Sequence, residues 1–86
     1  MQYFLSKNFE KQLKKLPKKT KNRTIEQLSI FVADQADYRL NNHPLVGEWT
    51  GYRSIDITGD IRAIYKKEAE NVVRFITIGS HSELYE

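Results

Sequence analysis

The apolar residues change their period once along this chain, and that change constrains the fold more than any other feature. Between residues 6 and 37 they recur at the three- and four-residue spacing of amphipathic helices. After residue 50 they fall instead in short β-branched and aromatic runs that are typical of strands. A chain that runs through helices first and strands afterwards is predicted to belong to the α+β class.

Pro17 divides the helical part in two. The first helix is predicted to begin after Ser6, whose hydroxyl can accept from an otherwise unpaired amide of the first turn. It ends before Pro17, because proline has no amide hydrogen to donate. A second helix is predicted over residues 18–37. The predicted apolar stripes are Phe9, Leu13 and Leu16 in the first helix, and Ile25, Leu28, Val32 and Ala36, with Phe31 beside them, in the second.

Strands are predicted before and after the helical hairpin. Residues 38–50 contain Asn, Pro and Gly and indicate an ordered loop. The strands are predicted at residues 2–6, 51–57, 61–67 and 72–78, with a turn at 58–59, a connection at 67–71 and a tail at 79–86. The predicted fold is therefore β-α-α-β-β-β, with the hairpin packed on one face of an antiparallel sheet. The other face stays available to solvent or a ligand.

The composition excludes several function classes. The chain has 86 residues, so we treat residues 1–86 as one domain. It has no cysteine, which excludes a disulfide framework and a thiolate metal site. No apolar run is long enough to cross a bilayer, and the N-terminus lacks the apolar core of a signal peptide. We predict a cytoplasmic protein without a membrane partner.

The positive charge is concentrated at the N-terminal end. The overall net charge is +3, but residues 1–23 hold eight lysine and arginine residues against Glu10 alone, which is +7 and leaves −4 for residues 24–86. This asymmetry indicates an anionic partner near the helices, with nucleic acid favoured over a membrane. The structural alternative is a solvated helix face.

Groups suited to phosphate chemistry occur in the C-terminal half. Metal-free RNA cleavage needs a base for the 2′-hydroxyl, a cation for the charge that builds on phosphorus, and an acid for the leaving 5′ oxygen. Histidine, aspartate, arginine and tyrosine supply these without a cofactor or metal. Taken singly, each has a structural alternative as a turn, loop or solvated strand residue. The candidates are His43, Arg53, Asp56, Asp60, Arg62, Arg74, His81 and Tyr85.

Three segments together resemble the RelE/ParE toxin superfamily, and within it the YafQ branch. They are HPLVGEWTGYR, DIRAIY and GSHSELY. The resemblance implies a bacterial, cytoplasmic toxin of a type II toxin–antitoxin system. It implies a compact fold of two helices on a sheet and metal-independent cleavage of mRNA on the ribosome, leaving a 2′,3′-cyclic phosphate. It also implies a cognate antitoxin as partner.

The resemblance also assigns roles by position. His81 is the first choice for the general acid, and either Asp60 or His43 for the base. Arg62 is expected to stabilise charge, and Tyr85 to lie close to the scissile phosphate. The residues predicted to contact RNA or the ribosome are Lys14, Lys15, Lys18, Lys19, Arg53 and Arg74.

The chain departs from the YafQ pattern at three positions. Asp56 stands where the pattern has a second histidine, Ile61 where an aromatic residue is common, and Thr77 where an arginine precedes the final glycine. These departures leave two alternatives open. One is a ParE-like gyrase-binding toxin, against which the paired histidines argue, and the other is a catalytically inactive binding module with the toxin fold.

Overall fold

The computed structural model describes residues 1–85 and has the predicted α+β architecture. Single turns of 3-10 helix occupy Tyr38–Leu40 and Gly47–Trp49. The helices are α1 (Lys7–Lys14), α2 (Lys18–Ala33) and α3 (His81–Tyr85). The strands are β1 (Gln2–Leu5), β2 (His43–Pro44), β3 (Arg53–Asp56), β4 (Ile61–Ala69) and β5 (Val72–Ser80). The short β2 lies within the segment that was predicted to be a loop.

The ends of the two long helices follow from local chemistry. Ser6 caps α1 as predicted, because its Oγ accepts from the Phe9 amide at 3.0 Å. The α2 helix ends at Ala33, four residues earlier than predicted. Asp34 adopts an extended conformation (φ −160°, ψ 100°), and its carboxylate accepts from the Ala36 amide at 3.0 Å. Aspartate favours such turns over helix interiors, so it ends the helix.

The buried face of α2 differs from the predicted stripe. Ile25 and Val32 are 61% and 42% exposed. The buried residues of α2 are Thr24, Gln27, Leu28 and Phe31. Two of these are polar and were not expected in the core, but their hydrogen bonds allow burial. The Thr24 hydroxyl donates to the Thr20 carbonyl at 2.8 Å, and the Gln27 amide donates to the loop before β2 and to β3.

The five strands form one sheet in the order β1-β5-β4-β3-β2. Strands β2 to β5 pair in antiparallel fashion, whereas β1 pairs with β5 in parallel. The sheet is therefore mixed rather than wholly antiparallel. The helical hairpin and three strands separate β1 from β5, so no tight turn joins the two strands and imposes antiparallel pairing.

The core lies between the sheet and the helical hairpin, and Phe75 of β5 is its centre. Four aromatic rings pack around Phe75 with centroid distances between 5.1 and 5.9 Å. They come from β1, α1, α2 and β4, so one side chain joins both helices to the sheet. The four partners are Tyr3, Phe9, Phe31 and Tyr65.

Candidate active site

The opposite face of the sheet carries two rows of residues in register. Asp56, Arg62 and Gly79 stand side by side on β3, β4 and β5. The intervening Ile55 and Ala63 belong to the core, so this row points away from the helical hairpin. The second row contains Ser54 and Ile64, which are fully buried. Solvent therefore reaches this face of the sheet only at its edge.

The tail crosses this face over Gly79. A Cβ atom at Gly79 would lie 3.6 Å from the Leu84 side chain, so α3 packs closely over this position. The Trp49 indole donates to the Leu84 carbonyl at 3.2 Å. This hydrogen bond ties Trp49 to the tail.

A capping box begins α3. The Ser80 amide donates to Glu83 Oε1 at 2.8 Å, and the Glu83 amide donates to Ser80 Oγ at 3.2 Å. The bond from the Ser80 amide to the carboxylate, together with the Ser80 hydroxyl beside it, holds the pKa of Glu83 below its ordinary value of 4.5. The reciprocal bonds start the helical turn that presents His81 and Tyr85.

Acidification is therefore expected to loosen the tail. A depressed pKa means that the Glu83 contribution is present above pH 4.5 and is lost as pH falls through the lower folded-state value. Trp49 is the single tryptophan and reports on tail docking. We expect its fluorescence to change at acidic pH in the wild type, and Glu83→Ala to show the undocked signal at neutral pH. Glu83→Gln retains the capping box without a titrating group. If its acid transition matches that of the wild type, Glu83 is not responsible.

Four of the predicted catalytic residues line one cavity of about 440 Å³. The short strand β2 supplies His43, β4 supplies Arg62, and α3 supplies His81 and Tyr85. Residues separated by up to 42 positions are thus brought together at one end of the sheet. The remaining lining residues are Asn41, Pro44, Leu45 and Val46. All four lie in the segment predicted to be a loop, and Pro44, Leu45 and Val46 belong to the family-like segment HPLVGEWTGYR, but none of the four was singled out as a site residue.

Arg62 is held by three oxygen atoms. Its Nη1 donates to the carbonyls of Thr58 and Gly59 at 3.1 and 3.0 Å, and its Nε lies 2.9 Å from Asp56 Oδ1. The side chain is 18% exposed. The β3–β4 turn and Asp56 therefore orient the guanidinium at the cavity and restrict its rotation.

The ring of His43 is oriented by its own loop. Its Nδ1 lies 2.7 Å from the carbonyl oxygen of Asn41. A carbonyl only accepts, so in a neutral imidazole this contact places the proton on Nδ1 and leaves Nε2 as an acceptor. Asn41 adopts the left-handed conformation (φ 47°), which asparagine tolerates better than most residues.

Hydrogen bonds of Asp37 and Gln27 stabilise the loop that carries Asn41. The Asp37 carboxylate accepts from the Arg39 guanidinium and amide, and these bonds lower the pKa of Asp37 to about 2. The buried Gln27 Nε2 donates to the carbonyls of Arg39 and Asp56 at 3.1 and 2.9 Å. One α2 side chain thus joins the turn before Asn41 to the end of β3.

His81 and Tyr85 form a pair on α3. Their ring centroids are 4.7 Å apart with an interplanar angle of 59°. His81 is exposed, while the Tyr85 hydroxyl is buried and has no hydrogen-bond partner among the residues that the structure describes. The pair forms the tail side of the cavity.

Asp60 does not line the cavity. Its carbonyl accepts from the His81 amide at 3.0 Å, and its amide donates to Thr58 Oγ1 at 3.3 Å. The sequence suggested Asp60 or His43 as the base. The structure brings His43 to the cavity with the other three side chains, and leaves Asp60 as a backbone support for the start of α3.

The residues predicted to contact RNA lie outside the cavity. The four lysines are exposed at the end of α1 and the start of α2. Arg53 donates to Asn42 Oδ1 at 2.9 Å, and Arg74 is engaged by Glu68 at 2.7 Å and lies over the Phe4 ring. The four lysines are Lys14, Lys15, Lys18 and Lys19.

Two of the three departures from the family pattern have structural roles. Ile61 packs against the core. Thr77 is buried, and its hydroxyl donates to Gln12 Oε1 of α1 at 3.0 Å, so this position does not line the cavity. The third, Asp56, contacts two residues that line the cavity, Arg62 and Asn41. Within residues 1–85 no group of three or more histidine, aspartate or glutamate side chains is arranged to hold a metal ion, and no helix is long and apolar enough to cross a membrane.

The fold is that of the small toxins of toxin–antitoxin pairs. The crystal structure of YafQ from E. coli strain BL21(DE3) aligns with a TM-score of 0.80 at 25% identity, over 98% of this chain and 97% of that one. The toxin of the E. coli DinJ–YafQ complex gives 0.77 at 26% identity, over 98% and 96%. The RelBE2 complex from Mycobacterium tuberculosis gives 0.76 at 18% identity, over 93% and 96%, a likeness of fold alone. No curated protein matches significantly.

The family model for the bacterial toxin of type II toxin–antitoxin systems, YafQ, matches residues 1–86. The chain belongs to this family. The resemblance drawn from the three sequence segments is confirmed.

Proposed function

We propose that this toxin is a metal-independent RNA endonuclease that cleaves mRNA on the ribosome and so inhibits translation. The observation that carries the proposal is the meeting of His43, Arg62, His81 and Tyr85 around one cavity. Two imidazoles and one guanidinium supply the base, acid and cation that RNA cleavage needs. A gyrase-binding or purely structural role gives no reason for these groups to converge.

The cleavage step follows from the positions of these groups. His43 Nε2 takes the proton of a 2′-hydroxyl, and the freed oxygen attacks the adjacent phosphorus. Arg62 stabilises the charge that builds on the phosphoryl oxygens. The bond to the 5′ oxygen then breaks, and His81 protonates that oxygen. The products are a 2′,3′-cyclic phosphate and a 5′-hydroxyl.

Tyr85 has a supporting role in this proposal. Its buried hydroxyl has no hydrogen-bond partner in the described chain, and its ring packs on His81. Packing against the tyrosine ring limits the rotation of the His81 imidazole. The pair thus keeps the acid next to the leaving oxygen.

Ribosome and antitoxin are the proposed partners. The exposed lysines at the α1–α2 junction are suited to ribosomal RNA phosphates, since such contacts need charge without base specificity. The DinJ–YafQ complex pairs a related toxin with its antitoxin, which supports a cognate antitoxin for this chain as well. These interactions imply action in the bacterial cytoplasm.

Induction in bacteria, with mapping of RNA 5′ ends, tests the proposal. We expect growth arrest, new cuts within translated messages, and 5′-hydroxyl ends. Purified protein added to programmed ribosomes should reproduce the cuts in the presence of a chelator. Intact messages in an arrested culture, together with loss of supercoiling by purified gyrase, would favour the ParE-like alternative. Intact messages with normal growth would favour the inactive binding module.

A further inference from the structure

Asp56 contacts residues of the cavity but has no role in the proposed cleavage step. One carboxylate oxygen, Oδ1, lies 2.9 Å from Arg62 Nε but is buried and makes no hydrogen bond within residues 1–85. The Arg62 N–H is thus close to this oxygen without being directed at it. The other oxygen, Oδ2, accepts a long hydrogen bond of 3.4 Å from Asn41 Nδ2.

Asp56 is placed to act through its neighbours rather than on a substrate in the cavity, although its side chain as a whole is 26% exposed. Oδ1 is covered by protein, and Asp56 is not among the residues that line the cavity. Any effect of Asp56 on the reaction must therefore pass through its neighbours. A covered carboxylate oxygen without hydrogen bonds needs a nearby cation, and Arg62 is that cation.

The two neighbours of Asp56 lead to two cavity residues. On one side, the carboxylate lies beside Arg62 Nε, while the Thr58 and Gly59 carbonyls accept from Arg62 Nη1. On the other side, Asn41 uses its side chain on Asp56 and its carbonyl on His43 Nδ1. Asp56 thus joins β3 to the proposed cation and to the loop of the proposed base.

We propose that Asp56 is a positioning residue that fixes the Arg62 guanidinium and, through Asn41, the His43 ring in their orientations at the cavity. This inference rests on the proposed RNA cleavage. Asp56 stands where the family pattern has a histidine. The inference gives this position a role in orienting its neighbours rather than in proton transfer.

The kinetic test is Asp56→Asn, which keeps the shape of the side chain and removes its charge. We expect kcat for cleavage of ribosome-bound message to fall on the order of tenfold, because misplacement of a reacting group slows the chemical step. Binding of RNA should be equal or up to about fivefold tighter, because a negative charge beside Arg62 is lost. A general loss of structure would lower both kcat and the affinity for RNA. A lower kcat with unchanged or tighter binding therefore identifies positioning. An unchanged kcat overturns the proposal.

A double-mutant comparison tests whether Asp56 acts through Arg62. In an Arg62→Ala background, Asp56→Asn is expected to change the residual kcat by less than about twofold, since the group that it positions is gone. The same tenfold loss in both backgrounds overturns the proposal. Glu70→Gln is the matched control, because it removes one carboxylate charge from the exposed β4–β5 turn.

Nuclear magnetic resonance separates this inference from the proposed function. We expect Asp56→Asn to broaden the Arg62 Nε–H signal, and Asn41→Gly to broaden the His43 Nδ1–H signal. Both substitutions should also mix the His43 tautomers. Glycine at position 41 keeps the positive φ and the carbonyl, and loses only the contact with Asp56. Unchanged His43 and Arg62 signals in both variants contradict positioning even if the wild type cuts RNA. If the wild type does not cut RNA, the proposed function fails, while changed signals still support the placement by Asp56.

Discussion

Replacing His81 with alanine is expected to lower the rate of RNA cleavage by about 10²–10⁴, which is the range for loss of a positioned general acid. His81 lines the cavity from α3 and packs against the Tyr85 ring. Its imidazole is exposed and takes no part in the core, so thermal unfolding should change little. The rate is best measured in single turnovers on ribosome-bound message, with growth after induction as a cellular readout.

A modified substrate tests the assignment of acid and base. If sulfur replaces the bridging 5′ oxygen, the leaving group departs without protonation. His81→Ala should then recover most of its lost rate, because only the acid has become unnecessary. His43→Ala should remain slow on both substrates, because the 2′-hydroxyl still needs a base. Recovery of the His43 variant instead of the His81 variant would reverse the two roles.

Replacing Arg62 with alanine is expected to lower kcat by roughly 10²–10³, the usual loss when a preorganised charge-stabilising donor is removed. The reason is geometric as well as electrostatic. The guanidinium is held by the Thr58 and Gly59 carbonyls and by Asp56, so it needs no reorganisation when charge develops. Arg62→Lys keeps the charge but lacks the planar fork that meets these oxygens, so we expect it to restore only a small part of the rate.

The same substitution is expected to reduce stability by about 1–3 kcal/mol, since it leaves Asp56 Oδ1 buried without a cation. Chemical denaturation of Arg62→Ala, with Arg62→Ala/Asp56→Asn beside it, measures this cost. The second substitution should restore part of the stability without restoring cleavage. An Arg62→Ala variant that cleaves at the wild-type rate would falsify the role of this residue as the charge stabiliser.

Much of the fold could be predicted from local sequence patterns. Ser6 and Pro17 predicted where α1 begins and ends, because capping and the missing proline amide depend only on neighbouring residues. The strands β3, β4 and β5 were predicted close to their observed positions from β-branched and aromatic runs. The histidines, Arg62 and Tyr85 were also found from residue chemistry and from the three family-like segments.

Other features depend on contacts between distant parts of the chain. Gln27 is buried because two backbone carbonyls, from residues 39 and 56, accept from its amide, so the inward face of α2 cannot be read from apolar periodicity. The parallel pairing of β1 likewise depends on the free sheet edge that β5 presents.

The sequence by itself determined the elements, their order and the groups available for phosphate chemistry, because these depend on residue type and short-range spacing. Only the tertiary structure decided which of those groups meet. It brought His43 to the cavity and left the Asp60 side chain outside its lining, and it set Asp56 against Arg62. The physical reason is that strand register and the packing of α3 over Gly79 are set by long-range contacts. A shift of one residue in register turns a side chain to the opposite face of the sheet.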